Sequence, residues 1–230
     1  MTKEELRIEL EKLEVYESSK LEELMKDTLL TNEKFNLTAI TKKEEFRELM
    51  ILDSLYPLEL VDFKNKKVID VGTGAGYPGL PLAMVSPSSQ FTLIDSTKKK
   101  IDHINEFVSL NDIQNVKGVS ERVENYAKKH REEFDLAIAR AVAPLNILIE
   151  LIVPLLKVGG VFIAMKGVKG KEEIEASKKA LKELDSEVIE IQEIELPQSK
   201  EKRINIVIKK NSVSKKKYPR DYSEICKNPL

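Results

Sequence analysis

The sequence predicts an α/β domain built on a mostly parallel, seven-stranded sheet that ends in an antiparallel hairpin, with a helical extension in front of it. Three observations carry that prediction. After Pro57 short apolar runs alternate with helical segments, the rhythm of βαβ units. The last two β-rich runs, 187–195 and 203–209, stand too close together for a crossover helix and so pair as a hairpin. Residues 3–56, by contrast, read as helices.

Taken in order, Leu6, Leu10 and Leu13, then Leu21, Leu24 and Met25, recur at helical spacing. Phe46, Leu49, Met50 and Asp53 mark a further helix that stops before Pro57. Residues 67–71 and 90–95 are apolar runs of strand length, each followed by a helical segment. In the second segment Ile101, Ile104 and Val108 share one face, with Lys98, Lys99, Lys100 and Asp102 on the other. Residues 115–119, 135–139 and 160–165 supply three more strands, with a buried helix over 144–156 between the last two. A charged helix over 171–184 precedes the hairpin. The chain thus divides into a helical cap (1–57), a sheet domain (58–210) and a basic tail (211–230).

A chain of 230 residues with 41% hydrophobic and 33% charged residues can bury one large core and reads as globular. Its single cysteine, Cys226, excludes an internal disulfide framework and fits a reducing compartment. The charged N-terminal segment has no apolar signal-peptide stretch. The greasiest segment, 141–156, is broken by Pro144, Asn146, Glu150 and Pro154, which argues against a membrane span. A cytoplasmic location and no membrane partner are therefore expected. The net charge is only −1, but residues 198–230 hold ten Lys and Arg against three Asp and Glu. That leaves +7 on the tail and −8 on the body, an asymmetry that suggests an anionic partner.

Function is concentrated in KVIDVGTGAGYPG, residues 67–79, where four glycines fall within eight positions directly after a strand. Such a loop lets backbone approach a ligand closely and permits positive φ. It contains a GxGxxG (Gly74, Gly76, Gly79), and Asp95 ends the next strand 19 residues after Gly76, where an acid can bind ribose hydroxyls. A dinucleotide and another adenosine cofactor both fit this much. Asp70, two residues before Gly72, separates them. A carboxylate there repels a pyrophosphate and welcomes a cation, and S-adenosylmethionine carries a sulfonium and an ammonium without phosphate. The terminal hairpin is that of the class I methyltransferase sheet. The remaining helices and tail leave no room for a dehydrogenase's catalytic domain.

The acceptor is read at the end of the fourth strand. Amine methyltransferases resemble one another in a D/N-P-P-Y/F motif there, whereas this chain has ARAVAP at 139–144. Cytosine C5 methylation needs a cysteine nucleophile, and Cys226 in the tail is badly placed for one. An acceptor that is already nucleophilic, such as guanine N7, needs positioning and electrostatic help but no general base.

The ordered set NLT (36–38), ILDSL (51–55), IDVGTGAGYPG (69–79), LIDS (93–96), ARAVA (139–143), MKG (165–167) and RINIV (203–207) resembles the RsmG family, formerly glucose-inhibited division protein B. The closing KKYPR (216–220) and KNPL (227–230) look like that family's C-terminus in Gram-positive lineages. The resemblance implies methylation of guanine N7 in 16S rRNA of the small ribosomal subunit. It also implies cofactor contacts at Gly72, Tyr77, Asp95, Ser96, Thr97, Val123, Glu124 and Arg140. Family members often carry a histidine where this chain has Met50.

To these we add Asp70, Gly74 and Gly76 as cofactor residues, and Arg140 as the catalytic group, holding guanine or phosphate. Lys166 ends the fifth strand and is expected at the active-site edge, on RNA. Lys215, Lys216, Lys217 and Arg220 are expected on RNA phosphates, with Tyr218 offering a ring for stacking. His103 is expected at the surface or partly packed and His130 solvated; neither has metal-site spacing, so no metal is expected. A monomer is expected. The rival readings are a small NAD-dependent oxidoreductase and a non-catalytic RNA-binding protein on a methyltransferase fold.

Overall fold

The computed structural model describes residues 19–34 and 36–230. The leucines at 6, 10 and 13 lie outside the described residues. Helix α1 (Ser19–Asn32) and a composite helix α2 lead into the sheet. Helix α2 runs through Lys43–Phe46, a wider π-helical turn at Arg47–Leu52 and Asp53–Leu55. It stops at Leu55, before Pro57 as expected, and Pro57 sits in the 3₁₀ turn Tyr56–Glu59 that follows. Proline is tolerated in a first turn because the missing N–H has no partner there anyway.

Then follow β1 (Lys67–Val71), α3 (Gly79–Val85), β2 (Gln90–Asp95), α4 (Lys98–Leu110), β3 (Val116–Ser120), α5 (Val123–Lys129) and β4 (Phe134–Arg140). After these come α6 (Leu145–Ile152), β5 (Leu156–Lys166), α7 (Gly170–Ala176), α8 (Lys178–Glu183), β6 (Ser186–Glu195), β7 (Lys202–Lys210) and α9 (Tyr222–Lys227). The strands form one seven-stranded sheet in the order β3-β2-β1-β4-β5-β7-β6. The first five are parallel, and β7 runs antiparallel to both β5 and β6, as the short connection required. The predicted helix over 171–184 is two helices, α7 and α8, broken at Ser177, whose hydroxyl turns back to the Glu173 carbonyl.

Side-chain parity sets everything that follows. Val68, Leu136, Ile138, Ile163 and Met165 face one core layer with α1, α2, α3 and α4. Ile69, Val71, Ala137, Ala139, Phe162 and Ala164 face the other, with α6 and the C-terminal segment. Asp70 and Arg140 fall on the cap face by the same alternation, and Lys166 on the opposite one. No helix among the described residues is long and apolar enough to cross a membrane.

Candidate active site

The carboxyl ends of β1, β2, β4 and β5 open onto a cleft of about 1110 Å³. Its floor is the turn after β1. Gly72 and Gly74 take φ of +71° and +60°, which side chains resist. A Cβ on Gly72 would stand 2.5 Å from a Val142 methyl, because Ala141 (φ +56°) turns the chain after β4 back over the loop. A Cβ on Gly74 would point into open space, with only the Gly72 carbonyl oxygen at 4.0 Å. The N–H groups of Gly72 and Thr73 donate to the Ile94 carbonyl at 2.8 and 3.1 Å. The Gly74 N–H donates to Asp95 Oδ2 at 3.1 Å, and the Thr97 N–H to Asp95 Oδ1 at 2.8 Å. Asp95 therefore staples two loops with one carboxylate, whose other lone pairs remain at the cleft.

Asp70 sits beneath the loop. Its Oδ2 accepts from the Thr73 hydroxyl at 2.6 Å and the Gly79 N–H at 2.8 Å, and it is fully buried. Burial pushes its carboxyl up to about 6 against the pull of those two donors and of Arg140. Its reach toward a ligand is through the loop it braces, since it does not line the cleft. Gly76 is likewise set back, turned toward Leu80 and Ile104. Thr97 begins α4 behind Ser96, and Ser96 does line the cleft with Asp95, Val123 and Glu124. Tyr77 lines it too, its ring edge-on to Phe46 (5.5 Å between centroids) and its hydroxyl 3.0 Å from that of Thr28.

The β4–β5 end is built from charges. Arg140 Nη1 donates to Asp53 Oδ2 at 3.0 Å and to the Leu49 carbonyl at 3.1 Å, inside the π-helical turn of α2. Such turns cluster at functional sites. Its Nη2 lies 3.5 Å from the Met50 sulfur, so Met50 packs against the guanidinium at the position where histidine is frequent. Arg203 of β7 reaches the same Asp53 oxygen at 3.4 Å and Glu201 at 2.8 Å. On the opposite face Lys166 is buried, donating to the Ala143 carbonyl at 2.6 Å and pairing with Glu173 at 2.8 Å. It lines the cleft as expected of a strand end, but its ammonium is committed to protein partners.

The tail is not a loose strand of charge. Arg220 Nε and Nη2 grip the fully buried Glu150 at 2.7 and 2.6 Å, and Tyr218 is only 3% exposed. The Tyr218 ring is thus unavailable for stacking on a base, and Arg220 is engaged by the core. Lys215, Lys216 and Lys217 remain exposed; Lys215 pairs with Glu183 at 3.2 Å and Lys217 lies 4.9 Å from the Tyr218 ring. His103 is buried rather than at the surface, since α1 lies over it and Asp27 approaches its Nε2 at 3.3 Å. Burial holds the imidazole below its ordinary value and Asp27 above. His130 is partly covered, stacked on Tyr126 at 3.9 Å and bonded to Glu133 at 2.7 Å. No cluster able to hold a metal occurs among the described residues.

Asp53, Glu173, Arg203 and Tyr222 are among the cleft residues that carry no role in the sequence reading. Asp53 sits at an inward position of an apolar helix, a placement that demands a cationic partner, and Arg203 has the parity that faces the cap.

The family model for rRNA small subunit methyltransferase G matches residues 17–204. The chain belongs to that family. The ribosomal RNA small subunit methyltransferase G of Thermoanaerobacter sp. (strain X514) is 46% identical over 202 residues, covering 86% of this chain and 84% of its own. The enzyme of the same name from Halalkalibacterium halodurans is 44% identical over 208 residues, with coverages of 86% and 85%. Family membership makes the chain a methyltransferase of small-subunit ribosomal RNA. Among solved structures, M. jannaschii TYW2 in complex with AdoMet superposes with a TM-score of 0.59 at 16% identity, over 76% of this chain and 80% of that one. A predicted O-methyltransferase from Agrobacterium tumefaciens gives 0.57 at 18% identity, over 73% and 83%. These two share the fold.

Proposed function

We propose that the protein transfers a methyl group from S-adenosylmethionine to N7 of a guanine in 16S rRNA. The observation that carries the cofactor half is the open cradle at Gly74, bordered by Asp95. In it Asp95 binds the ribose hydroxyls, the backbone of Gly72 and Gly74 lies against the ligand, and Val123 and Glu124 border the nucleobase. Bound there, the cofactor supplies an electrophilic methyl on sulfur. Asp70 holds the loop from below, and its carboxylate adds negative potential under a cationic ligand.

The observation that supports N7 is the state of the carboxylates at the acceptor end. Asp53 is held by Arg140 and Arg203, and Glu173 by Lys166. Glu201 is paired with Arg203, and the one Asp53 oxygen without a partner is buried. No carboxylate of this end is thus both unpaired and exposed to take a proton from an exocyclic amine, whereas N7 offers an in-plane lone pair and keeps no proton to lose. Arg140 and Arg203 hold the acceptor strand by charge, so that catalysis is chiefly in-line positioning. Incubation with labelled S-adenosylmethionine and 16S rRNA from cells lacking the gene is expected to give labelled N7-methylguanine. Label recovered on another atom overturns the reading.

A further inference from the structure

We infer that Tyr222, in the C-terminal segment, is a cofactor-site residue that packs against the nucleobase of the bound cofactor; this rests on the reading of the cleft as an S-adenosylmethionine site. The family match ends at residue 204, so the segment beyond it takes no role from that match.

The geometry of the segment is that of a fixed wall. Arg131 of the α5–β4 turn donates to the Ser214 carbonyl at 2.7 Å and also to the Tyr218 carbonyl. Two residues on, Arg220 forms a two-pronged pair with Glu150, a carboxylate wholly buried in the apolar helix α6. Such fork-to-fork pairs fix direction as well as contact. Asp221 then pairs with Lys128 of α5 at 2.7 Å, and Ile225 is fully buried one turn later. Tyr222 is held between these anchors and lines the cleft, near enough to Glu124 and Arg122 to feel their charges, with Val123 lining the cleft between those two in the chain. Those three stand at the junction of β3 and α5, one strand outward from Asp95. With the ribose on Asp95, the base lies toward that junction.

The chemistry agrees. Nucleobase sites are lined by apolar and aromatic groups with a few polar ones. Among the described residues Tyr77 and Tyr222 are the aromatic side chains on the cleft, and the Tyr77 ring is committed to Phe46 and Thr28 on the cap side. The Tyr222 hydroxyl bonds to Cys226, and its ring, with no such aromatic partner among the described residues, is the one available at the base end. The Glu150 pairing gives the segment a second consequence: Arg220 positions Tyr222 without touching ligand.

The test is calorimetric titration of the full chain with S-adenosylmethionine and with 5′-methylthioadenosine, which lacks the amino-acid half. Tyr222→Ala is expected to weaken both ligands about ten- to a hundredfold, the span of one lost base–ring contact. Tyr222→Phe is expected to keep most of the affinity, and circular dichroism of both variants to match wild type. Arg220→Ala is expected to weaken both ligands less, and to add little on top of Tyr222→Ala, because the two act through one contact. Unchanged affinities in Tyr222→Ala, with Asp95→Ala strongly weakened in parallel, overturn the inference and leave the cofactor reading standing. A raised KM for RNA with unchanged cofactor affinity likewise overturns it and moves Tyr222 to the substrate. Wild-type protein that fails to bind either ligand removes the cofactor reading itself.

Discussion

The two ends of the cleft are built in opposite ways. At the β1–β2 end the material is backbone: two glycines with positive φ, N–H groups on the Ile94 carbonyl, and one carboxylate stapling the loops. At the β4–β5 end it is side-chain charge, drawn together from far apart in the chain. Arg140 and Arg203 meet Asp53 across 87 and 150 sequence positions. A backbone site is preorganised by local conformation, and its ligand must fit a fixed surface. A site of paired charges can release a cation to a polyanion, because a phosphate competes for the same guanidinium. Under the proposed function, the first takes the cofactor and the second the RNA.

The largest effect is expected from removing Asp53, on which the charged end hangs. Asp53→Ala strands two guanidinium groups, one 14% and one 19% exposed. Removing one partner of a buried pair typically costs about 3–5 kcal/mol, so a drop in unfolding free energy of that order is expected in a urea titration. Affinity for S-adenosylmethionine is expected to stay at the wild-type value. If it collapses along with stability, the two ends are not independent and the division fails.

This contrast also explains what is legible in the sequence. The sheet, its hairpin and the glycine loop follow from patterns a few residues wide, and the expected strands match the observed ones within one or two residues, except that β5 starts at Leu156 rather than 160. The ion pairs do not follow in this way, because partners at long range leave no local period. Yet their halves are visible. Glu150 lies in LNILIELI, where an unpaired carboxylate cannot be buried, and so it demands a cation from elsewhere. Arg220 is that cation, and reading it as free for phosphate overlooks the demand. Parity likewise separates Lys166 from Arg140, since Arg140 pairs with Met165, Lys166's neighbour of opposite face, and strand alternation is a property of the sequence alone. His103 is illegible: the helix α1 that covers it is not signalled by anything near residue 103.

Within the backbone-built end, Asp70 makes stability depend on pH. Its carboxyl rises from 3.8 to about 6 on folding, chiefly by burial. A raised value means the folded state holds its proton longer than the unfolded chain. The stabilisation this gives is complete below about pH 4 and is lost as pH rises to about 6, by about 3 kcal/mol in all. Asp70→Asn removes the titrating group while keeping an acceptor for Thr73 or Gly79. Its stability is therefore expected to fall less than wild type's between pH 4 and 7. Parallel curves for the two proteins mean that Asp70 is already ionised at pH 4 in the folded state.

A smaller effect is expected from the other carboxylate of this end. Asp95→Ala removes the acceptor for charge-assisted hydrogen bonds from ribose, each contributing about 1.5–3 kcal/mol. Cofactor affinity should fall by about ten- to a hundredfold, with RNA affinity measured by filter binding unaltered. A matching loss in RNA affinity would join the two ends that the proposed function assigns to different ligands.

The smallest expected effect lies outside the cleft, on the lysines that the docked tail still presents. With Arg220 held by Glu150, the cations expected on RNA reduce to the cluster Lys215, Lys216 and Lys217, all exposed, with Lys227 exposed farther along. Lys215 shares its charge with Glu183, an exposed pairing of the kind that contributes little and yields readily to phosphate. Each phosphate contact releases counterions and contributes about 0.7–0.9 to the slope of log affinity against log salt. Replacing the three lysines by serine should therefore flatten the slope for 16S rRNA by up to about 2.5, with S-adenosylmethionine affinity untouched. Adding Arg220→Ala to the triple variant separates the two uses of the tail. If Arg220 is an anchor, the slope stays where the triple variant left it and only cofactor affinity moves. A further flattening by about one contact's worth would place Arg220 on RNA after all.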